Sequence, residues 1–188
     1  MHDLSLHLLD IVQNSVRASA KRINVCIEAD SAADRLRLEI VDDGQGMTSD
    51  LLSRVTDPFV TTRTTRSVGL GLPLLKELCE MTGGSLMLES DYGKGTRLVA
   101  DFGLSSIDRP PLGNLADTWM VLLAGNPEID FILSLRAGEH NVCLNTEELK
   151  AGLEGVPLTE PAVLAWIKGY VAEMQQEIFG GVMHEIIS

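Results

Sequence analysis

Two short segments separated by four residues limit the fold more than any other feature of the chain. INVCIEAD (23–30) alternates Ile23, Val25, Ile27 and Ala29 with polar neighbours, and RLRLEIV (35–41) alternates Leu36, Leu38 and Ile40 in the same way. Alternation with period two puts every apolar side chain of a strand on one face. The two segments are therefore expected to pair within a sheet that turns one face toward helices. The second strand runs into VDDGQGM (41–47), which sets two carboxylates directly before a G-x-G pair. That ending is open to two readings: an acidic strand-to-loop turn, or a carboxylate held at a strand end before a ligand that the glycines let approach.

The remaining elements follow from periodicity and punctuation. Residues 3–22 place Leu4, Leu8, Ile11, Val12, Ser15 and Ala18 at helical spacing, with Lys21 and Arg22 in the last turn, where cations suit the helix dipole. Ser49 is placed to cap a short helix through Val55, and DPFVTTRTTRSVGLGLP (57–73) has no periodicity and reads as a loop. PLLKELCEMTGG (73–84) reads as a helix with Pro73 in its first turn and glycine at its end, and GSLMLES and TRLVADF, joined by DYGKG, read as a hairpin. Residues 1–105 thus read α-β-β-α-loop-α-β-β, an α/β (α+β) two-layer sandwich whose mixed sheet is covered on one face by helices. Past RPPLG (109–113), residues 106–188 read as a small C-terminal α/β extension. LADTWMVLLAG is helical, EIDFILSL and NVCLNTEEL flank AGEH as a hairpin, and EPAVLAWIKGYVAEMQQEIF is a long amphipathic helix. Trp119, Trp166, Tyr170 and Phe179 there are open to two readings, a core stripe or anchors for a partner.

Charge narrows the function classes. The formal net charge is -12, and the extension carries net -8 of it against -4 for residues 1–105. Nonspecific nucleic-acid or anionic-membrane binding needs the opposite sign. No apolar run reaches the length of a membrane span, and MHDLSLHLLD has neither a basic start nor a small-residue cleavage site, so a cytoplasmic protein is expected. Cys26, Cys79 and Cys143 are odd in number and form no CxxC pair, which points to reduced thiols rather than a disulfide or metal framework.

Three further features stand near VDDGQGM once the elements are placed. GLGLP (69–73) precedes a helix and aims the backbone N–H groups of Gly69, Leu70, Gly71 and Leu72 either at anionic oxygens or into a tight turn. Asp10 and Asn14 lie four residues apart on one face of the first helix, as a solvated edge or as ligand groups. YGKGT (92–96) closes the hairpin.

In this order, over residues 3 to about 104, the set resembles the GHKL superfamily of ATP-binding domains with the Bergerat fold. LLDIVQNSVRASA (8–20) resembles its N box, VDDGQGM its D-x-G-x-G box, DPFVTTR (57–63) its F box and following lid, and VGLGLPLL (68–75) with YGKGT its later glycine boxes. The resemblance implies ATP and Mg²⁺ as cofactors. It assigns Asp42 to the adenine amino group, Gly44 and Gly46 to close passage of the backbone by the base, and Asn14 to Mg²⁺. Thr96 supports adenine through water, while Thr61, Thr62, Arg63, Gly69, Leu70, Gly71 and Leu72 contact the phosphates. Asp43 stands where histidine kinases often have Asn. Asp10 stands where the superfamily's serine kinases, gyrase, chaperones and MutL have a Glu general base.

Three departures shape the expected function. Ser67 replaces the first glycine of the later box, and the lid between Phe59 and Gly69 is short. The short strand that usually precedes the N-box helix has no counterpart, an edge the C-terminal hairpin is placed to fill. Dimerisation and phosphoacceptor helices are likewise without counterpart, so a self-contained sensor kinase is not expected, and His184-Glu185 reads as tail. The expectation is a Mg-ATP-binding, histidine- or serine-kinase-like protein that transfers the γ-phosphoryl group to a separate protein partner. The alternative is an ATP-hydrolysing or ATP-sensing regulatory module that binds a partner without phosphotransfer. Either leaves room for a homodimer and calls for no nucleic acid and no membrane insertion.

Overall fold

A computed structural model describes residues 3–55 and 71–180 of the chain. Residues 1–105 contribute α1 (Leu4–Arg17), β1 (Arg22–Asp30), β2 (Arg35–Asp42), the one-turn α2 (Ser49–Leu52), α3 (Gly71–Met81), β3 (Ser85–Asp91) and β4 (Gly95–Gly103). The extension adds α4 (Leu115–Gly125), β5 (Asp130–Ala137), β6 (His140–Asn145), α5 (Thr146–Gly152) and α6 (Pro161–Phe179). One six-stranded sheet, ordered β3-β4-β2-β1-β5-β6, runs through both parts. It is mixed, because β1 and β5 pair parallel while the other neighbours pair antiparallel.

The alternation in β1 and β2 sets the layers. Ile23, Val25, Ile27, Leu36, Leu38 and Ile40 are all buried on one face, and α3, α1, α4 and α6 pack over that face in a single helical layer. One hydrophobic cluster joins Leu8 and Val12 of α1 to Leu75 of α3, Trp119 of α4 and Ile167 of α6. The other face carries ion pairs instead, among them the two-pronged Arg37–Asp101 contact and Arg97 between Glu39 and Glu89. The C-terminal hairpin does take the edge beside β1, with Arg22 opposite Asp130 and Ala29 opposite Ala137.

The extension is also fastened to the start of α1. The first N–H groups of a helix have no partner within it. Here the Leu4 N–H donates to Pro111 O at 3.0 Å and the Ser5 N–H to Leu112 O at 2.9 Å, so the RPPLG joint closes the helix end.

Element ends depart from the sequence expectation where tertiary bonds compete with helix propensity. Helix α1 stops at Arg17 rather than continuing to residue 22, because Ala18 O accepts the Gln45 N–H at 2.8 Å and Ser19 turns to φ 61. Thr48, not Ser49, caps α2. The segment TEEL is helical, not strand: the Asn145 side chain accepts the Glu147 N–H at 3.0 Å, and the Phe131 N–H donates to Thr146 Oγ1 at 2.8 Å. Of the four aromatic residues open to two readings, Trp119 and Phe179 are core, whereas Trp166 is exposed and Tyr170 half-buried. Among the described residues, no helix is long and apolar enough to cross a membrane.

Candidate nucleotide-binding site

A cavity of about 210 Å³ opens between α1, the end of β2 and the start of α3. Its walls are apolar, with Ile11, Ile40, Met47, Leu72, Leu88 and Leu98 among them, and its polar groups are few: Asn14, Ser15, Arg17, Asp42, Gln45 and Thr96. Apolar walls with a few converging polar groups are the usual make-up of a small-molecule site.

Asp42 is the buried carboxylate of this cavity, 8% exposed. Strand register places it, because Asp42 is the last residue of β2 and pairs with Ile23 on one side and Thr96 on the other. The Ser15 hydroxyl donates to Asp42 Oδ2 at 2.6 Å, and the Gly44 N–H donates to Asp42 Oδ1 at 2.9 Å. Both oxygens are therefore held in fixed directions, and each keeps a lone pair. Thr96 follows from the same register. Its Oγ1 lies 2.9 Å from Ser90 Oγ, which donates to Gly95 O and accepts the Met47 N–H.

The glycines of the loop meet backbone. A Cβ on Gly46, whose φ is +66, would lie 2.1 Å from Asp91 O, and one on Gly95, at φ +104, 2.0 Å from Asp42 O. The loop after β2 and the β3–β4 turn are thus pressed together with no room for a side chain, a contact strengthened by the Gly93 N–H donating to Gln45 O at 2.6 Å. Gly44 faces the end of α1, where a Cβ would meet Ala18 O at 2.9 Å.

Helix α1 supplies the other polar wall. Asn14 Oδ1 accepts from Arg17 Nη1 at 2.9 Å, and both side chains line the cavity. Asp10 is exposed, one turn before Asn14. The N-terminus of α3 abuts it, since a Cβ built on Gly71 would lie 3.6 Å from Asp10 Cβ. A helix start beside a carboxylate and an amide is a natural place for an anion chain with its counter-cation. Asp43 faces elsewhere: its Oδ1 accepts the N–H groups of Lys21 and Arg22 at 2.7 and 2.9 Å.

The structure thus gathers Asn14, Asp42, Gly46, Leu72 and Thr96 around one cavity, with Gly44 behind Asp42 and Asp10 and Gly71 beside Asn14. Thr61, Thr62, Arg63, Gly69 and Leu70, like His184-Glu185, lie outside the described residues. Sequence reasoning missed Ser15 and Arg17. Their signal was spacing: one follows Asn14 directly, and the other stands three residues on, within reach of the same helix face.

A deep carboxylate in an apolar slot beside a helix N-terminus, on a sheet covered by helices on one face, defines a nucleotide-binding α/β sandwich. The family model described as histidine kinase-, DNA gyrase B- and HSP90-like ATPase matches residues 2–106, and the chain belongs to that family. A putative sensor protein of Shewanella frigidimarina is 32% identical over 103 residues, 54% of this chain and 16% of that protein. The sensor protein kinase PilS of Pseudomonas aeruginosa is 38% identical over 84 residues, 42% of this chain and 16% of that protein. The chain therefore spans a minor part of the length of these relatives. The MutL ATPase domain of Aquifex aeolicus, solved with ADP, aligns with a TM-score of 0.44 at 13% identity, over 82% of this chain and 70% of that one.

Proposed function

We propose that this ATP-binding, kinase-like chain binds Mg-ATP in the α1–β2–α3 cavity and transfers the γ-phosphoryl group to a separate protein. The observation that carries the reading is Asp42: a buried carboxylate with two oriented oxygens at the floor of an apolar slot. That arrangement suits a flat heteroaromatic ring whose exocyclic amine donates to a carboxylate, which adenine provides. Phosphates would extend toward Asn14, Arg17 and the start of α3, where a guanidinium and helix N–H groups favour negative charge.

The residues fit magnesium as well. Among the described residues no group of three or more His, Cys, Asp or Glu forms a metal cage. Magnesium bound with a nucleotide does not need one, because phosphate oxygens and water fill most of its shell and the protein adds one or two oxygens. Asn14 Oδ1 is that oxygen in our reading, and the ion would neutralise charge as the phosphoryl group leaves. Asp10, exposed and one turn away, is placed to take the proton of an acceptor hydroxyl or of water.

A second reading, ATP sensing without transfer, rests on the joint at the start of α1. The helix that bears Asn14 and Ser15 is bonded at its first turn to Pro111 and Leu112, which offers a physical link between a nucleotide at that helix and the extension.

The test is an ATP titration together with γ-phosphate release and protein labelling from Mg-ATP, for wild type, Asp42→Asn and Asp10→Asn. Asp42→Asn abolishes binding. Turnover lost in Asp10→Asn with binding kept supports an active enzyme with Asp10 as its base, labelling of a protein supports the kinase reading, and wild type that binds ATP but neither hydrolyses it nor labels a protein supports sensing.

A further inference from the structure

Strand β6 ends the sheet on the extension side. Its residues, His140 to Asn145, include no Asp, Glu, Lys, Arg or Pro. Sheet edges are normally guarded by such residues. The opposite edge strand is guarded, with Glu89 of β3 paired to Arg97 and Asp91 to Lys94. The two-residue loop Gly138–Glu139 closes on the pair Ala137–His140. From that pair the alternation of an antiparallel ladder turns the N–H groups of Asn141 and Cys143 away from β5. Among the described residues no strand meets them.

Helix α6 packs against β5 and β6 at this edge. Lys168, paired with Asp117, and Gln175, which donates to Gly113 O and accepts the Leu115 N–H, mark the side turned to α4. Trp166, Tyr170, Glu173 and Glu177, at helical spacing, form a stripe on the side away from α4, and α6 itself packs on β6, the edge strand. Trp166 is 56% exposed, and its ring stacks on Tyr170 with centroids 5.5 Å apart and planes 3° from parallel. Glu173, Glu177 and Glu139 at the hairpin tip are in no ion pair among the described residues.

We propose that this corner docks an extended, Lys- or Arg-bearing segment of a partner protein, added antiparallel or parallel to β6 beside the Trp166–Tyr170 pair. The unpaired backbone groups of β6 supply main-chain bonds and the neighbouring side chains supply selectivity, as in other strand-addition complexes. A cation set over an exposed aromatic face is favourable in itself. The three carboxylates select a basic strand over an acidic one. They also disfavour a second copy of this chain, because antiparallel self-pairing centred on Cys143, which sets Asn141 opposite Asn145, brings Glu139 of each copy to Glu147 at the acidic start of α5 in the other.

The proposal is independent of the nucleotide reading and is tested without nucleotide. The probes are a peptide of roughly eight residues alternating Lys and Val, enough to span one strand, and its Glu and Val counterpart, titrated calorimetrically. The Lys peptide binds, more weakly as salt rises, and the Glu peptide does not. Trp166→Ala, Glu173→Lys and Cys143→Pro, which removes one outward N–H, each weaken binding about tenfold. All three sites are exposed, and a wild-type-like melting transition identifies the variants that remain folded. Absence of Lys-peptide binding, equal binding of both peptides, or affinity unchanged in every folded variant overturns the proposal. A protein that sediments as a dimer and becomes monomeric in Cys143→Pro puts a second copy on the edge and overturns it too.

Discussion

The Ser15 hydroxyl donates a 2.6 Å hydrogen bond to Asp42 Oδ2, joining the last turn of α1 to the end of β2 across 27 residues of chain. Both groups are buried, so the bond does two things at once: it locks two layers together and points the carboxylate. Among the described residues, Ser15→Ala leaves Asp42 with the Gly44 N–H as its one remaining side-chain bond. The expected cost is about 1–3 kcal/mol of stability, the range for leaving a buried acceptor short of a partner, with a parallel loss of ATP affinity. Denaturant melts and an ATP titration on the same sample check this. Unchanged affinity in a destabilised variant would mean that the bond serves the fold alone.

Asp43, next along the chain, belongs to the fold rather than to the cavity. Burial opposes its ionised form, but the N–H groups of Arg22 and Lys21 outweigh that and hold its carboxyl below the ordinary value. A carboxyl with a depressed folded pKa adds stability above the ordinary carboxylate range, and that contribution is lost as pH falls through the depressed value. The side chain is exposed, so the effect is modest, about 0.5–1 kcal/mol. Asp43→Asn should therefore melt below wild type at pH 7, with the gap closing below about pH 4. A gap that stays constant from pH 7 to pH 3 would rule out the charge as its source.

Gly46→Ala offers a sharper case. The added methyl would meet Asp91 O, and the residue would keep a left-handed φ of +66. Backbone, unlike a flexible side-chain end, cannot swing aside, so the loop and the β3–β4 turn must separate. The expected loss is above about 3 kcal/mol, from clash added to left-handed strain, and nucleotide binding should fall with it because Met47 and Thr96 ride on the same contact through Ser90. Thermal melts and an ATP titration measure both losses, and near-wild-type stability would show that the loop can reposition.

What the sequence made legible was whatever a local pattern encodes. Period two in residues 23–30 and 35–41 placed β1 and β2 and their buried face, and Asn14, Asp42, Gly46 and Leu72, singled out from their motifs, all line one cavity. Features fixed by distant partners were not legible. Helix α1 ends early because Gln45, 27 residues past Ala18, takes that residue's carbonyl. TEEL folds as helix because Thr146 is needed by Phe131, and the cap at Asn145 outweighs the strand pattern before it. Gly46 lines the cavity, and it also meets the turn at Asp91 with no room for a side chain, a long-range packing fact that no local pattern carries.

The three cysteines give an ordering that tests the sheet and the helical layer together. Cys143 is exposed on β6, Cys26 is half-buried on β1, and Cys79 is buried in α3. Burial, reinforced by Asp101 and Glu80, pushes the Cys79 thiol up to about 12, and burial also raises Cys26. The thiolate is the reactive form, so at pH 8 an aromatic disulfide reagent should label Cys143 first and Cys26 slowly, and should reach Cys79 only when α3 opens. Labelling followed by peptide mapping gives the order directly, and denaturant should bring all three to similar rates. Rapid labelling of Cys79 in the native protein would mean that α3 leaves the sheet readily, and with it the helix start that stands beside Asp10.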